Sequence, residues 1–195
     1  MKFLSTVALT FSGVCLLSGS VGAQRVAPTC HSFDGNTSEA ALTYLQQERS
    51  ILEPACIYDA LGILDTNRYK PAIETLFHYL DFEKPEAPGA PHPVTMGPTA
   101  GAFPAADALA RFGNSVLPKV KEVIRNDVEP PLSRLNAAKI YFDIRPEPAT
   151  VGFIAKAGHE AIDPASSKQL IHFAQLTVNY CQPDKREECK KALDQ

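Results

Sequence analysis

Apolar residues recur along this chain at the three- and four-residue spacing of helix faces, and no stretch alternates apolar with polar as a half-buried strand would. Ala41, Leu42 and Leu45 form the first stripe, behind Ser38 and Glu39, and predict a helix over 38–47. Pro54 opens a second, with Ile57, Leu61 and Leu64 on one face and Asp65-Thr66-Asn67 as its end. Pro71 opens a third, carrying Ile73, Leu76, Phe77 and Leu80. Further on, Leu109 and Phe112 precede the Gly113-Asn114 helix stop, and Val116, Val120, Val123 and Ile124 give a stripe at i, i+4, i+7 and i+8. Leu135, Ala138 and Phe142 mark the next helix, bounded by Glu129-Pro130-Pro131 and Arg145-Pro146. Pro148 begins a helix with Val151, Ile154, Ala155, Gly158, Ala161 and Ile162 on its apolar face, where Gly158 admits a close neighbour. Asp163-Pro164 starts a longer one reaching Tyr180, and Asp184 caps a short charged tail. Roughly seven to nine helices joined by short turns imply an all-α fold of stacked antiparallel hairpins, an α-solenoid-like array.

Two regions break this pattern. Residues 24–37 are polar and irregular, with a turn at Asp34-Gly35-Asn36. Residues 83–103 hold Pro85, Pro88, Pro91, Pro93 and Pro98 with Gly89, Gly97 and Gly101, which no helix interior accommodates. The helical domain is therefore expected over 38–195, interrupted by a Pro/Gly-rich loop at 83–103.

The start of the chain has the form of a secretory leader. Lys2 is followed by the uncharged apolar run Phe3–Leu17, then by small residues with Val21 and Ala23 at the positions a signal peptidase reads. That apolar run is about 15 residues against the roughly 20 needed to span a bilayer. A signal peptide over 1–23 places the mature protein outside the cell or in the periplasm, and no later segment is long and apolar enough to cross a membrane. Four cysteines follow the leader: Cys30, Cys56, Cys181 and Cys189. An even number in an oxidising compartment favours two disulfides out of three possible pairings. Cys181 and Cys189 flank Pro183-Asp184, so a short loop can join them, which leaves Cys30 with Cys56. With 19 Lys and Arg against 22 Asp and Glu, the chain has no basic excess to recruit nucleic acid.

Two segments are near copies of each other. Asp59-Ala60-Leu61-Gly62 and Asp107-Ala108-Leu109-Ala110 each run into a turn, and then a second helix begins around Pro71 or Pro118. Cys56–Leu80 and Pro104–Ile124 thus resemble the HEAT or HEAT-like repeat, an α-solenoid unit; Leu135–Ile162 matches it poorly. The spacing of 48 residues from Asp59 to Asp107 is inflated by the loop, against the roughly 40–47 usual for such repeats. The Asp and Arg ladder of that family is represented only by these two aspartates. The resemblance implies a binding surface on the second helix of each hairpin, where Glu74, His78, Lys121 and Arg125 point away from the apolar stripes.

Catalytic motifs are missing. There is no Gly-x-Ser-x-Gly, no phosphate-binding glycine loop, no Cys-x-x-Cys and no His-Glu-x-x-His. His159-Glu160 and His172 are the nearest approach to a metal site and define one alternative, a small secreted metal-dependent hydrolase. A second alternative is an inhibitor acting through 83–103. The expected function is an exported helical-repeat binding or scaffold module that recognises a protein or cell-envelope partner, with no catalytic residue, cofactor or metal.

Overall fold

Proline sets most of the helix starts. A helix leaves its first backbone N–H groups unbonded, so a residue without one costs nothing there. A computed structural model describes residues 29–86 and 101–194. Proline occupies the first turn of α2 (Pro54–Thr66), α4 (Pro104–Ala110), α5 (Leu117–Arg125), α6 (Pro131–Ile144), α7 (Pro148–Glu160) and α8 (Pro164–Thr177). The remaining helices are α1 (Ser38–Leu45), α3 (Ile73–Phe77) and α9 (Arg186–Ala192). Among the described helices, side chains cap α1 and α8: Thr37 Oγ1 accepts from the Ala40 N–H at 3.2 Å, and the Asp163 carboxylate accepts from the Ser166 N–H at 2.7 Å. No strand occurs among the described residues.

Several boundaries differ from the sequence expectation. Pro71 lies in a 3-10 turn (Lys70–Ala72), and α3 is only five residues long, with Leu80 in the turn beyond it. Asp184 lies inside another 3-10 turn (Pro183–Lys185), and no side chain caps α9. Ile162, expected on the apolar face of α7, follows the end of that helix and is 83% exposed. The expected leader at 1–23 and most of the 83–103 loop fall outside the described residues; of the loop's described parts, the Lys84 N–H bonds the Ala102 carbonyl at 2.8 Å.

α2, α4, α6 and α8 stand side by side in a row, each packed on the next. Against them lie α1 on α2, α3 on α4, α5 on α6 and α7 on α8, with α9 against α7. This is an array of helix pairs, offset by one helix from the pairs expected. α2 and α3 share little contact, and so do α4 and α5. The two near-copies Asp59–Gly62 and Asp107–Ala110 belong instead to adjacent members of the inner row. Their repeated letters fit that position: Ala60, Leu61, Ala108 and Leu109 are all at most 1% exposed, the alanines admitting close neighbours and the leucines filling the space between.

One continuous core runs through the array, from Leu45 and Leu61 through Leu109 and Ile140 to Ile154 and Leu170. Gly158 has the predicted role: a Cβ there would lie 2.8 Å from Ile171 Cγ1 and 3.1 Å from the Ile171 backbone nitrogen, so α7 and α8 meet at that point. Two disulfides hold the ends. Cys30–Cys56 ties the irregular segment to the first turn of α2, and Cys181–Cys189 ties the end of α8 to α9. The core also holds polar groups. Arg134 on α6 is 1% exposed; its Nε donates to the Ile124 carbonyl at 2.9 Å and its Nη1 to Asp127 Oδ1 at 2.5 Å. Asn136 is fully buried, its Nδ2 donating to the Leu80 carbonyl at 2.7 Å.

Candidate functional site

α2 and α4 are neighbours, and polar residues of both line one side of their contact. The irregular segment 33–36, which follows the Cys30–Cys56 disulfide to α2, forms a third wall. Between them runs a groove of about 1100 Å³, lined by residues that include Asp34, Asp59, Asp65, Asp107 and Arg111. Gly62 lies on its α2 wall, where an added Cβ would meet nothing within 4 Å. The glycine leaves that wall bare.

Charge in the groove is unbalanced, with four aspartates against Arg111. Asp65 is its most constrained member. Oδ2 pairs with Arg111 Nη1 at 3.2 Å, whereas Oδ1 is buried with no hydrogen-bond partner. Burial pushes the Asp65 carboxyl above its ordinary range; Arg111 opposes this and the Asp107 carboxylate adds to it. Asp107 in turn accepts from the Gly101 N–H at 2.7 Å. Its charge reaches α6 as well. Burial, reinforced by Asp107 and opposed by Lys139, raises the Asp143 carboxyl. Burial lowers Lys139, whose Nζ lies 4.9 Å from the centre of the Phe103 ring; Asp143, Asp107 and Glu83 work against that shift. Acidic groups crowded into a partly dry groove are stabilised by any cation that enters it.

The residues singled out in the sequence lie elsewhere. Glu74 and His78 line a separate hollow of about 380 Å³ together with Arg49 and Tyr79. Both polar ends in that hollow are already engaged: Arg49 pairs with Asp81 at 2.7 Å, and the Tyr79 hydroxyl donates to the Leu45 carbonyl at 2.8 Å. Lys121 and Arg125 lie over the rings of Tyr141 and Phe153. The structure does not gather these four side chains into one site. His159 and His172 are both exposed, and among the described residues no group of three His, Cys, Asp or Glu side chains is placed to hold a metal ion. The inhibitor alternative concerns a loop mostly outside the described residues.

Asp65 and Arg111 were not singled out, although each borders a repeated Asp-Ala-Leu run. The repeat was the available signal: two helices of equal pattern packed side by side bring equivalent polar faces together. Comparison with known protein families, with curated proteins and with solved structures finds no match.

Proposed function

We propose that this chain is an exported helical-repeat binding module without chemistry of its own, and that the α2–α4 groove holds a cationic segment of a protein or cell-envelope partner. The observation that carries this is the Asp65 carboxylate, whose Oδ1 is buried without a donor at the edge of an acidic groove. A buried acceptor left unmade costs about 1–3 kcal/mol, and folded proteins keep few of them. An ammonium or guanidinium entering the groove supplies charge opposite to its four aspartates. The HEAT-like resemblance also favours a binding role, and two disulfides suit an oxidising compartment such as the one a secretory leader delivers to.

Gly62 provides the test, because it lines the groove and a Cβ added there meets nothing within 4 Å. A fluorescein-labelled oligolysine is titrated into wild-type protein, Gly62→Phe and Asp59→Asn, with thermal melts run in parallel. The proposal expects saturable binding, weakened about tenfold or more by Gly62→Phe at unchanged stability, and weakened less by Asp59→Asn. Equal affinity in wild type and Gly62→Phe would remove the groove from the function.

A further inference from the structure

The opposite charge is concentrated on another part of the molecule. Lys121 and Arg125 lie one turn apart on α5 and project over the contact of α6 with α7. There Tyr141 and Phe153 meet edge to face, their centres 5.4 Å apart. Lys121 Nζ is 4.9 Å from the Tyr141 ring centre and 5.6 Å from that of Phe153, and Arg125 Cζ is 4.3 Å from the Phe153 centre. Phe153 also borders a hollow of about 560 Å³ whose lining includes Lys156, Lys191 and Glu188. Gly152 brings the last helix in: a Cβ there would sit 3.2 Å from the Ala192 carbonyl oxygen, so α9 runs close to α7 and places Lys191 on the rim of the same hollow. Two cations therefore lie over the half-buried Phe153 ring, and Lys156 and Lys191 line the hollow it borders.

They are also little used. Among the described residues, Lys121, Arg125 and Lys191 form no ion pair, and the Arg125 N–H groups make no hydrogen bond. Lys156 reaches Glu160 only at 3.8 Å, with both side chains more than half exposed. A guanidinium resting on an aromatic ring has already lost much of its rotamer freedom, and its planar fork matches a carboxylate with two parallel hydrogen bonds. Arginine next to an aromatic side chain is also the combination that dominates binding energy at protein interfaces.

We infer that the α5–α7–α9 face is a second docking surface, for a carboxylate-rich peptide segment of a partner protein, with Arg125 gripping a carboxylate and Lys121, Lys156 and Lys191 supplying the surrounding field. Shape selects a peptide over a lipid surface. A hollow beside a capped ring receives a protruding side chain, whereas the exposed apolar residues Ile51, Val128, Ile162 and Tyr180 that could enter a bilayer are not in its lining. The inference stands apart from the acidic groove and survives if that reading fails.

The test uses the full chain with its disulfides intact. A fluorescein-labelled oligoglutamate is titrated by anisotropy at low salt, about 50 mM, where screening is weak. The proteins compared are wild type, Lys121→Gln/Arg125→Gln, Lys191→Glu alone, and the remote control Lys70→Gln/Lys168→Gln, which removes the same charge. The expected result is saturable binding to wild type, weakened about tenfold or more by the α5 pair and by Lys191→Glu, and less than about twofold by the control. Lys191 is exposed, so that variant keeps the test decisive if the α5 pair perturbs folding. Equal losses in control and patch variants, no saturable binding by wild type, or capture of phosphatidylglycerol vesicles without capture of the peptide would each overturn the inference.

Discussion

Replacing Arg134 tests the least expected part of the interior. The side chain is 1% exposed, and it bonds the last turn of α5 through Ile124 and the following loop through Asp127. Asp127 Oδ1 also accepts from the Ile162 N–H at 3.3 Å, so one guanidinium joins α5, α6 and the α7–α8 turn. Arg134→Met keeps most of the packing volume and removes only the polar contacts. Breaking a buried pair from one side costs about 3–5 kcal/mol. Asp127 retains 31% side-chain exposure and recovers some hydration, which favours the lower end, about 3 kcal/mol. Arg134→Ala adds a cavity and reaches about 5 kcal/mol. For a domain of this size 3 kcal/mol corresponds to a melting temperature lower by about 6–12 °C. The assay is urea unfolding followed by far-ultraviolet circular dichroism, since the chain has no tryptophan. A double-mutant cycle with Asp127→Asn should give a coupling of at least about 1 kcal/mol. If Arg134→Met were as stable as wild type, the guanidinium would contribute no net stability and its role as a three-way tie would fail.

Other expectations follow from the same contacts. Gly158→Ala should destabilise by about 1–3 kcal/mol, because the Ile171 backbone nitrogen 3.1 Å from the new Cβ cannot move aside as a side-chain tip can; an unchanged urea midpoint would show that α7 and α8 can part there. Asp65→Asn should stabilise the protein at neutral pH. A carboxyl raised in the folded state costs stability above its folded pKa, and that cost is relieved as pH falls through it, so the gain should shrink toward acid in melts run from neutral to acid pH. Lower stability of Asp65→Asn at neutral pH would mean the Arg111 pair outweighs burial. The two disulfides should differ by loop length: with separations of 26 and 8 residues, loop-closure entropy gives losses of about 3.5 kcal/mol for Cys30→Ala/Cys56→Ala and about 2.5 kcal/mol for Cys181→Ala/Cys189→Ala. Urea midpoints in the opposite order would make strain or local packing the larger influence.

What could be read along the chain is what acts locally. Pro54, Pro104, Pro131, Pro148 and Pro164 mark helix starts because proline acts through its own φ and its own missing N–H, so the effect needs no neighbour. Gly158 was legible for a similar reason, as a missing side chain in an apolar stripe. The choice of neighbours was decided only in three dimensions. A stripe declares that a helix buries a face, not against which partner, and α6 shows the limit. Lying between α4, α5 and α8, it buries Ser133, Arg134, Asn136, Ala137 and Ile140 around its circumference, while Leu135 of the expected stripe remains half-exposed. Arg134 and Asn136 can sit inside only because acceptors at Ile124, Asp127 and Leu80 arrive from other elements. The groove has the same origin. Asp65 and Asp107 are far apart in the chain, and only the packing of α2 on α4 brings their charges together, dries one oxygen and leaves it without a donor.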